Sequence, residues 1–389
     1  MIQNFDVIIV GGGIMGSSVA YHLMKYAPKL KVAVVERDPT YAHASTALSL
    51  GGVRTQFSLK ENIQISQYAM ECFSRFEEEM AVEGERPFIA YRQAGYLYFY
   101  DAHREAQAKR NLKLQREMGC EVEWWNPSEI EAHYPFLCAQ GYAGATFGAK
   151  DGYLDPYAVL MAYRKKAISL RANYWTDEVV EIKRSRDRIH GVRLASGRTL
   201  ECNAVVNAAG AWAGVVAKTA GIDLPITPIR RQVYVCKPAM EIERPWPLVI
   251  LPNDLYFRSE TGGVLIVGKT MEEDPEIFDF TWDRDRFEAV IWPDLAKVVP
   301  SLETLKLLRG WAALYEVNRL DWNALLGPWP DVEGLYLING FSGHGFQQAP
   351  AAGRYLAEQI LEIKPSLDLS CFSPKRILEN RPLAEDGLV

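Results

Sequence analysis

The chain has 389 residues, 48% of them hydrophobic, which is enough for two domains with separate cores. A formal net charge of -6 argues against nucleic acid as the main partner, because binding phosphates requires a basic face. The six cysteines include no CxxC pair, which favours reduced thiols over a disulfide framework and indicates no metal site.

The sequence carries no pattern typical of secretion or of membrane insertion. The first predicted strand begins at Phe5, which leaves no room for a signal peptide. The longest nearly apolar run, residues 204–217, is too short and too interrupted to span a bilayer. We therefore expect a cytoplasmic protein without a transmembrane segment.

The N-terminal segment has the most informative pattern. Residues 6–23 read DVIIVGGGIMGSSVAYHL and residues 32–36 read VAVVE, which predict a strand, a glycine turn, a helix and a second strand ending in an acid. Gly11 allows the tight turn, Gly13 lets the backbone approach a pyrophosphate, and Gly16 lets the helix pack closely on the strand. The phosphates of a dinucleotide would then meet N–H groups at the helix N-terminus.

Four further residues of this unit are candidate dinucleotide ligands. Glu36 lies where a carboxylate accepts hydrogen bonds from an adenosine ribose. Ile14 and Met15 begin the helix and Arg37 follows Glu36, so we predict that these three also contact the dinucleotide. A GxGxxG turn alone is also typical of close helix–strand packing, but the flanking strand, helix and acid favour a binding site.

The rest of the chain is not a simple run of further βαβ units, and it shows no internal repeat or low-complexity tract. Helices are predicted over residues 102–118 and 155–170. Strands are predicted over residues 93–101, 121–125, 179–182, 188–202 (two strands joined at a Ser-Gly turn), 204–213, 232–238, 254–260, 262–270 and 334–341. This order predicts two interleaved domains rather than two consecutive ones.

Four stretches together resemble the D-amino acid oxidase and sarcosine oxidase superfamily of FAD enzymes, over nearly the whole chain. They are the N-terminal fingerprint with Glu36, STALSLGGVR (45–54), VVNAAGAWA (205–213) and GFSGHGFQQAP (340–350). The last is the most specific, because in sarcosine-oxidase-like enzymes this turn and helix form the flavin-facing loop. Residues 314–328 look closest to a branch of FAD-dependent oxidoreductase-domain proteins that has bacterial members and includes one tied to the assembly of mitochondrial complex I.

The resemblance implies an α/β (α+β) fold in which a Rossmann-type FAD-binding domain is interleaved with an antiparallel-sheet substrate domain. Residues 1–80, 145–225 and 318–389 are predicted to form the FAD-binding domain. Residues 81–144 and 226–317 are predicted to form the substrate domain.

The resemblance also implies bound FAD and further residues around it. Ser45 and Thr46 would offer hydroxyls to the pyrophosphate or ribityl chain, with ordinary turn capping as the alternative. Val179 would lie beside the adenine. The residues expected near the pyrophosphate are Ala209, Gly210 and Trp212. The residues expected at the flavin pyrimidine edge are Gly343, His344, Gly345, Phe346 and Gln347, whose N–H groups would favour the negative charge that develops there on reduction.

Candidate catalytic residues follow from the same resemblance. Arg54 falls where the sarcosine oxidase pattern places the arginine that clamps a substrate carboxylate, although a surface or interdomain ion pair is the alternative. His344 is expected to orient the flavin or its loop, or to act directly in acid–base chemistry. Tyr256 and Arg258, on a predicted strand of the substrate domain, are expected to face the flavin.

Three positions depart from the monomeric sarcosine oxidases. Ala313 replaces the cysteine that links flavin covalently, so FAD is expected to be non-covalent. Ile266 replaces the lysine that helps to activate oxygen, so oxygen is expected to be a poor acceptor compared with a quinone or dye. Gln347 replaces a lysine that assists carboxylate binding, which leaves the clamp mainly to Arg54.

These features predict an FAD-dependent amine oxidoreductase, more a dehydrogenase than an oxidase. It would remove a hydride from the carbon beside a primary or secondary amine of an amino acid or N-substituted glycine, and the imine would hydrolyse. Two alternatives remain open: a flavoprotein assembly or scaffold factor with little activity, and an FAD-dependent 2-hydroxy-acid dehydrogenase. The oligomeric state and the exact substrate are not predicted.

Overall fold

The computed structural model describes residues 3–386, which form two eight-stranded sheets, a two-stranded ribbon and the helices around them. The helices are α1 (Ile14–Tyr26), α2 (Lys60–Glu79), α3 (Glu105–Glu117), α4 (Pro127–His133), α5 (Pro156–Ser169), α6 (Ala213–Thr219), α7 (Arg284–Arg286), α8 (Trp292–Val298), α9 (Gly345–Ile360) and α10 (Lys375–Leu378). The strands are β1 (Gln3–Val10), β2 (Val32–Glu36), β3 (Gly52–Val53), β4 (Tyr96–Tyr100), β5 (Val122–Trp125), β6 (Gly144–Gly148), β7 (Gly152–Tyr153), β8 (Asn173–Thr176), β9 (Val179–Ser185), β10 (Arg188–Leu194), β11 (Thr199–Asn207), β12 (Ile226–Pro238), β13 (Leu248–Ile250), β14 (Leu255–Glu260), β15 (Val264–Lys269), β16 (Leu305–Asn318), β17 (Leu325–Pro328) and β18 (Leu335–Asn339).

The first sheet is a mainly parallel, Rossmann-type sheet with β1 at its centre. β1 pairs in parallel with β11 and β2, which in turn pair with β18 and β8. The apolar residues of β1 alternate between two cores: Val7 and Ile9 pack with α1, α5 and α9, whereas Ile8 and Val10 pack with α6 and the β9–β10 hairpin. Burial on both faces explains why this strand reads as a continuous apolar run.

The second sheet is mainly antiparallel, in the order β16-β12-β15-β14-β13-β4-β6-β5. Its strands alternate, so that Leu97 and Phe99 enter a core closed by α4 and α8, whereas Tyr96 and Tyr98 lie on the opposite face. That opposite face also carries Tyr256 and is the one turned toward the main cavity.

The predicted fold class is confirmed, because the two sheets take their strands alternately from the chain. The first sheet uses residues 3–36, 173–207 and 325–339, and the second uses residues 96–148 and 226–318. β6 pairs with β4 and β5 in the second sheet, so the predicted domain boundary at residue 145 falls within this strand. The sequence does not mark this point, because the pairing of β6 is decided by distant segments of the chain.

Neither a membrane-spanning helix nor a metal site is present in residues 3–386. No helix in this range combines the length and apolar character needed to cross a bilayer. Within the same range, no three His, Cys, Asp or Glu side chains are grouped so that they could hold a metal ion.

Candidate cofactor and substrate site

A cavity of about 1040 Å³ is lined by residues of both sheets and by the first residues of α1 and α9. Its lining includes every predicted cofactor-binding and catalytic residue except Gly16 and Arg258. These residues are Gly11, Gly13, Ile14, Met15, Glu36, Arg37, Ser45, Thr46, Arg54, Val179, Ala209, Gly210, Trp212, Tyr256, Gly343, His344, Gly345, Phe346 and Gln347.

The glycine turn between β1 and α1 leaves open space at one end of the cavity. Gly11 has a φ of +98°, a conformation that favours glycine. A Cβ on Gly13 would have only the Thr46 hydroxyl within 4 Å, at 3.8 Å, so it would extend into the space where a pyrophosphate binds. A Cβ on Gly16 would lie 2.0 Å from the carbonyl oxygen of Gly11. Gly16 therefore serves helix packing, and Gly13 keeps the phosphate site open.

Glu36 connects the glycine turn to the loop after β2. Its carboxylate accepts hydrogen bonds from the N–H groups of Gly12, at 2.7 Å, and Asp38, at 2.9 Å. Burial raises the pKa of this carboxyl group, and the two N–H groups oppose that effect. The carboxylate borders the cavity, which is the position expected for an acceptor of ribose hydroxyls.

An aromatic platform lies at the same end. The guanidinium carbon of Arg37 is 3.8 Å from the centre of the Trp212 ring, and Arg37 also pairs with Glu178 at 3.8 Å. The ring of Phe278 stacks on Trp212 with 5.2 Å between centroids. Trp212, predicted near the pyrophosphate, and Val179, predicted beside the adenine, both line the cavity.

The hydroxyls of Ser45 and Thr46 both have protein partners. Ser45 donates to the carbonyl oxygen of Leu314 at 2.6 Å, and Thr46 accepts from the N–H of Ile14 at 3.3 Å. These bonds fix the segment that begins at Ser45 to both halves of the molecule. Ser45 can still accept and Thr46 can still donate a hydrogen bond, so contact with the cofactor is compatible with these partners.

The turn between β18 and α9 forms the other end of the cavity. Gly343 has a φ of +102°, and a Cβ there would lie 2.3 Å from the ring of Tyr315. The turn therefore packs directly on this ring. The first N–H groups of α9 have no partner within the helix. The positive end of this 16-residue helix dipole therefore lies at this end of the cavity, as that of α1 lies at the other.

His344 immediately precedes α9 and is buried against the ring of Phe57, with 5.7 Å between centroids. Burial and the positive charge of Arg54 lower its pKa to about 3. The imidazole is therefore neutral at physiological pH and a weak base. Its Nε2 atom is buried and has no hydrogen-bond partner among residues 3–386.

Arg54 and Gln347 are in contact, and the contact is made by the backbone N–H of Arg54. The Oε1 atom of Gln347 accepts the Arg54 N–H at 2.6 Å. Next to it, the buried carboxylate of Asp151 accepts the N–H of Thr55 at 3.0 Å. The Arg54 guanidinium carbon lies 4.5 Å from the ring centre of Phe57. Two neighbouring elements thus hold the segment that carries the arginine.

Many cavity residues were not predicted from the sequence, among them Tyr96, Arg231, Tyr315 and Glu316. Burial raises the pKa of both tyrosines, which keeps their phenols neutral. Alternation along β4 would have indicated Tyr96. Arg231 and Tyr315 come from β12 and β16, whose register is set by long-range pairing, so no local pattern identifies them.

Arg258 and Ile266 lie elsewhere than expected. Both line a smaller cavity of about 560 Å³, which shares only residues 48–50 with the main one. Arg258 donates to the carbonyl oxygen of Leu50 at 3.2 Å and to Glu260 at 2.7 Å, so its side chain holds the dividing wall. The expectation that Arg258 faces the flavin site is therefore wrong, because this wall stands between them. Ala313 does line the main cavity, and none of the described residues that line it is a cysteine.

Comparison with known proteins agrees with this geometry. The profile of the DAO family, described as FAD dependent oxidoreductase, matches residues 6–359. FAD-dependent oxidoreductase domain-containing protein 1 of Bos taurus is 38% identical over 399 residues, covering 92% of this chain and 82% of that protein. The human mitochondrial dimethylglycine dehydrogenase is 25% identical over 392 residues, covering 95% of this chain and 44% of that protein.

Solved structures show the same fold. L-proline dehydrogenase from P. horikoshii superposes with a TM-score of 0.88 at 28% identity, covering 98% of this chain and 100% of that one. Glycine oxidase from Geobacillus kaustophilus gives a TM-score of 0.83 at 23% identity, covering 95% and 98%, and supports the fold alone.

The residues present fit FAD at both ends of the cavity. The open space at Gly13 and the start of α1 accommodate a pyrophosphate, and the carboxylate of Glu36 borders the cavity where a ribose acceptor is expected. At the far end, the first residues of α9 and the Gly343 turn line the space left for the isoalloxazine. The chain therefore belongs to the DAO family of FAD-dependent oxidoreductases.

Proposed function

We propose that this protein oxidises the C–N bond of an amino acid or an N-substituted glycine, giving an imine that hydrolyses in water. The observation that carries the proposal is Arg54, whose side chain lines the cavity at the end where α9 and the Gly343 turn lie. When bound there, FAD supplies the hydride acceptor for the carbon beside the amine. An arginine fork matches a carboxylate in two hydrogen bonds and so fixes which carbon faces the acceptor.

The hydrogen bonds around Arg54 support this role. Gln347 and Asp151 hold the backbone on either side of the arginine, so its side chain starts from a fixed point. The rings of Phe57 and Tyr98 lie 4.5 Å and 5.7 Å from the guanidinium carbon and limit where it can move. A carboxylate bound in this surrounding would be shielded from water, which strengthens the ion pair.

The protonation states of neighbouring groups define the substrate form. His344, with a pKa of about 3, and Tyr256 and Tyr315, whose pKa values burial raises, do not take up a proton at neutral pH. None of these three groups can deprotonate the substrate amine, so we propose that the amine arrives neutral, with its lone pair available to assist hydride departure from the adjacent carbon. Glu316, a cavity carboxyl group whose pKa burial raises to about 7, can accept that proton near neutral pH.

The names of relatives support an amino-acid substrate with an alkylated nitrogen. Dimethylglycine dehydrogenase and L-proline dehydrogenase are both named for such amino acids, and both are named as dehydrogenases. We propose a quinone or dye rather than oxygen as the efficient electron acceptor. The expectation of slow reaction with oxygen came from Ile266, which lines the neighbouring cavity. The choice of acceptor is therefore tested by the reoxidation rates described next.

An anaerobic screen tests the substrate class. Purified holoprotein is mixed with amino acids, N-methyl amino acids and 2-hydroxy acids, and bleaching of the flavin absorbance is recorded. We expect bleaching with an amino acid or N-alkyl glycine and reoxidation that is faster with a dye than in air-saturated buffer. Bleaching only by hydroxy acids, or by no compound, would favour the hydroxy-acid or scaffold alternative.

Two variants test the clamp with any substrate found. Arg54→Ala should weaken binding by about 2 to 5 kcal/mol, because the carboxylate would be desolvated and unpaired, and Arg54→Lys should weaken it less. FAD content should stay the same in both. Unchanged kinetics in Arg54→Ala with a carboxylate substrate would contradict this role.

A further inference from the structure

A second arginine lies in the same cavity and has no role in the function proposed so far. Arg231 lies on β12, opposite Ala313 of β16, and only 4% of its surface is exposed. Its guanidinium carbon is 5.5 Å from the ring centre of Tyr315, the ring on which the Gly343 turn packs. Arg231 therefore borders the substrate end of the cavity.

The charges of both arginines reach the same phenol. Burial raises the pKa of Tyr315, and the positive charges of Arg231 and Arg54 both act against that rise. The pKa of Tyr256 is also raised by burial, and Arg231 again opposes the effect. Two guanidinium groups and two neutral phenols thus surround one part of the cavity.

The ion pairs around Arg231 leave positive charge in excess. Arg231 and Arg286 both pair with Asp274, so two guanidinium groups share one buried carboxylate. Arg231 also donates to the carbonyl oxygen of Met271 at 3.2 Å. Because this part of the cavity wall carries more positive than negative charge, it favours an anionic ligand.

Other charged groups near Arg231 do not cancel this excess. Asp254 lies near Arg231, but the positive charges of Arg104 and Lys269 act on it as well. Lys269 in turn pairs with Asp294 at 2.6 Å.

We propose that Arg231 forms a second anion-binding subsite and that the substrate carries a second carboxylate besides the one bound by Arg54. This inference rests on the proposed function, because it names the substrate class for the same cavity: an amino acid with a further carboxylate on its side chain or on its N-substituent. Arg54 and Arg231 bind one carboxylate each, and the phenols of Tyr256 and Tyr315 lie beside the chain between them.

Ligand titration of the holoprotein tests the inference without turnover. The probes are malonate, succinate and glutarate, each compared with its monomethyl ester at fixed ionic strength, and the readout is the shift of the flavin absorbance. At least one diacid should bind tenfold or more tightly than its ester. In Arg231→Met this preference should fall to about one.

Two further variants keep the test decisive. Arg230→Met is the matched control, because Arg230 is the neighbouring residue on β12 and pairs with Asp279 outside the cavity lining, so the diacid preference should remain. Arg231→Lys keeps the charge and should retain part of the preference, which covers the case that Arg231→Met fails to fold.

The inference is overturned if wild-type protein prefers no diacid, including the case of no spectral shift with any probe, or if the preference survives in Arg231→Met. Bleaching by an amino acid with one carboxylate, together with no diacid preference, would overturn this inference and leave the proposed function standing. A diacid preference without bleaching by any amine would overturn the proposed function and leave the second anion-binding subsite standing.

Discussion

At the scale of single residues, two glycines of the GxGxxG pattern have different functions, one in ligand binding and one in folding. Gly13 has open cavity space where a Cβ would lie, whereas a Cβ on Gly16 would meet the backbone of Gly11 at 2.0 Å. The first glycine serves ligand binding and the second serves folding. Substitutions at the two positions should therefore fail in different ways.

We expect Gly13→Val to fold but to retain no FAD, because its side chain would occupy the pyrophosphate space. Gly16→Val should instead destabilise the apoprotein itself, by several kcal/mol, on the order of other overpacked core positions. Thermal unfolding of both apoproteins and flavin content after purification distinguish the two outcomes. Normal FAD content in Gly13→Val would show that the pyrophosphate lies elsewhere.

Glu316 should make the stability of the apoprotein depend on pH. Burial raises the pKa of its carboxyl group to about 7. Since the folded protein holds this proton more tightly than the unfolded chain does, the stabilisation is complete below about pH 4 and is lost as the pH rises through 7. The side chain in Glu316→Gln stays neutral. Between pH 5 and 8 the free energy of unfolding of this variant should therefore fall less than that of the wild-type protein, and the difference should be up to about 3 kcal/mol.

Urea unfolding of the two apoproteins at four pH values checks this expectation. Parallel profiles would show that another group causes the dependence. Asp151, whose pKa burial raises to about 6, is then the first residue to test.

At the scale of secondary-structure elements, local patterns predicted the parts of the site that lie on one segment. The β1–α1 unit and the turn before α9 could be recognised because their glycines and adjoining strands are consecutive in the sequence. Tyr256 and Arg258 lie on the same face of β14, yet only Tyr256 reaches the main cavity. Residues 48–50 separate the two cavities, and a contact between distant segments of this kind has no local signature.

The link between α9 and the segment that carries Arg54 can be tested separately from the cofactor. Gln347→Leu leaves the Arg54 N–H without its acceptor, and an unsatisfied buried N–H costs about 1–3 kcal/mol. We expect the dissociation constant of a carboxylate probe to rise about tenfold in FAD-saturated protein, because the arginine is no longer held in place.

Gln348→Leu is the matched control for this experiment. The Gln348 side chain is also buried on α9 and donates to Asn62 at 3.0 Å, but it does not line the cavity. It should lower stability without changing the affinity for the probe. Equal losses of affinity in both variants would contradict a positioning role for Gln347.

At the scale of the whole molecule, the segment from Ser45 to Leu50 joins the two sheets around the cavity. Ser45 donates to Leu314, the indole N–H of Trp311 donates to the carbonyl oxygen of Leu48 at 3.0 Å, and Arg258 donates to that of Leu50. These partners all belong to the second sheet, whereas the neighbouring Thr46 bonds to α1 of the first. A ligand that fills the cavity therefore contacts both halves of the fold at once.

This arrangement predicts that intact FAD, and not FMN, stabilises the protein. FMN lacks the adenosine half that Glu36 and Val179 are expected to contact, so it should leave that end of the cavity unfilled. FAD at a hundredfold excess over its dissociation constant should raise the free energy of unfolding by about 2.7 kcal/mol. Equal stabilisation by FMN would contradict the assignment of one end of the cavity to adenosine.

The FAD should also be recovered intact in the supernatant after acid precipitation, because Ala313 stands at the position of the covalent cysteine. Flavin left in the pellet would contradict non-covalent binding of FAD.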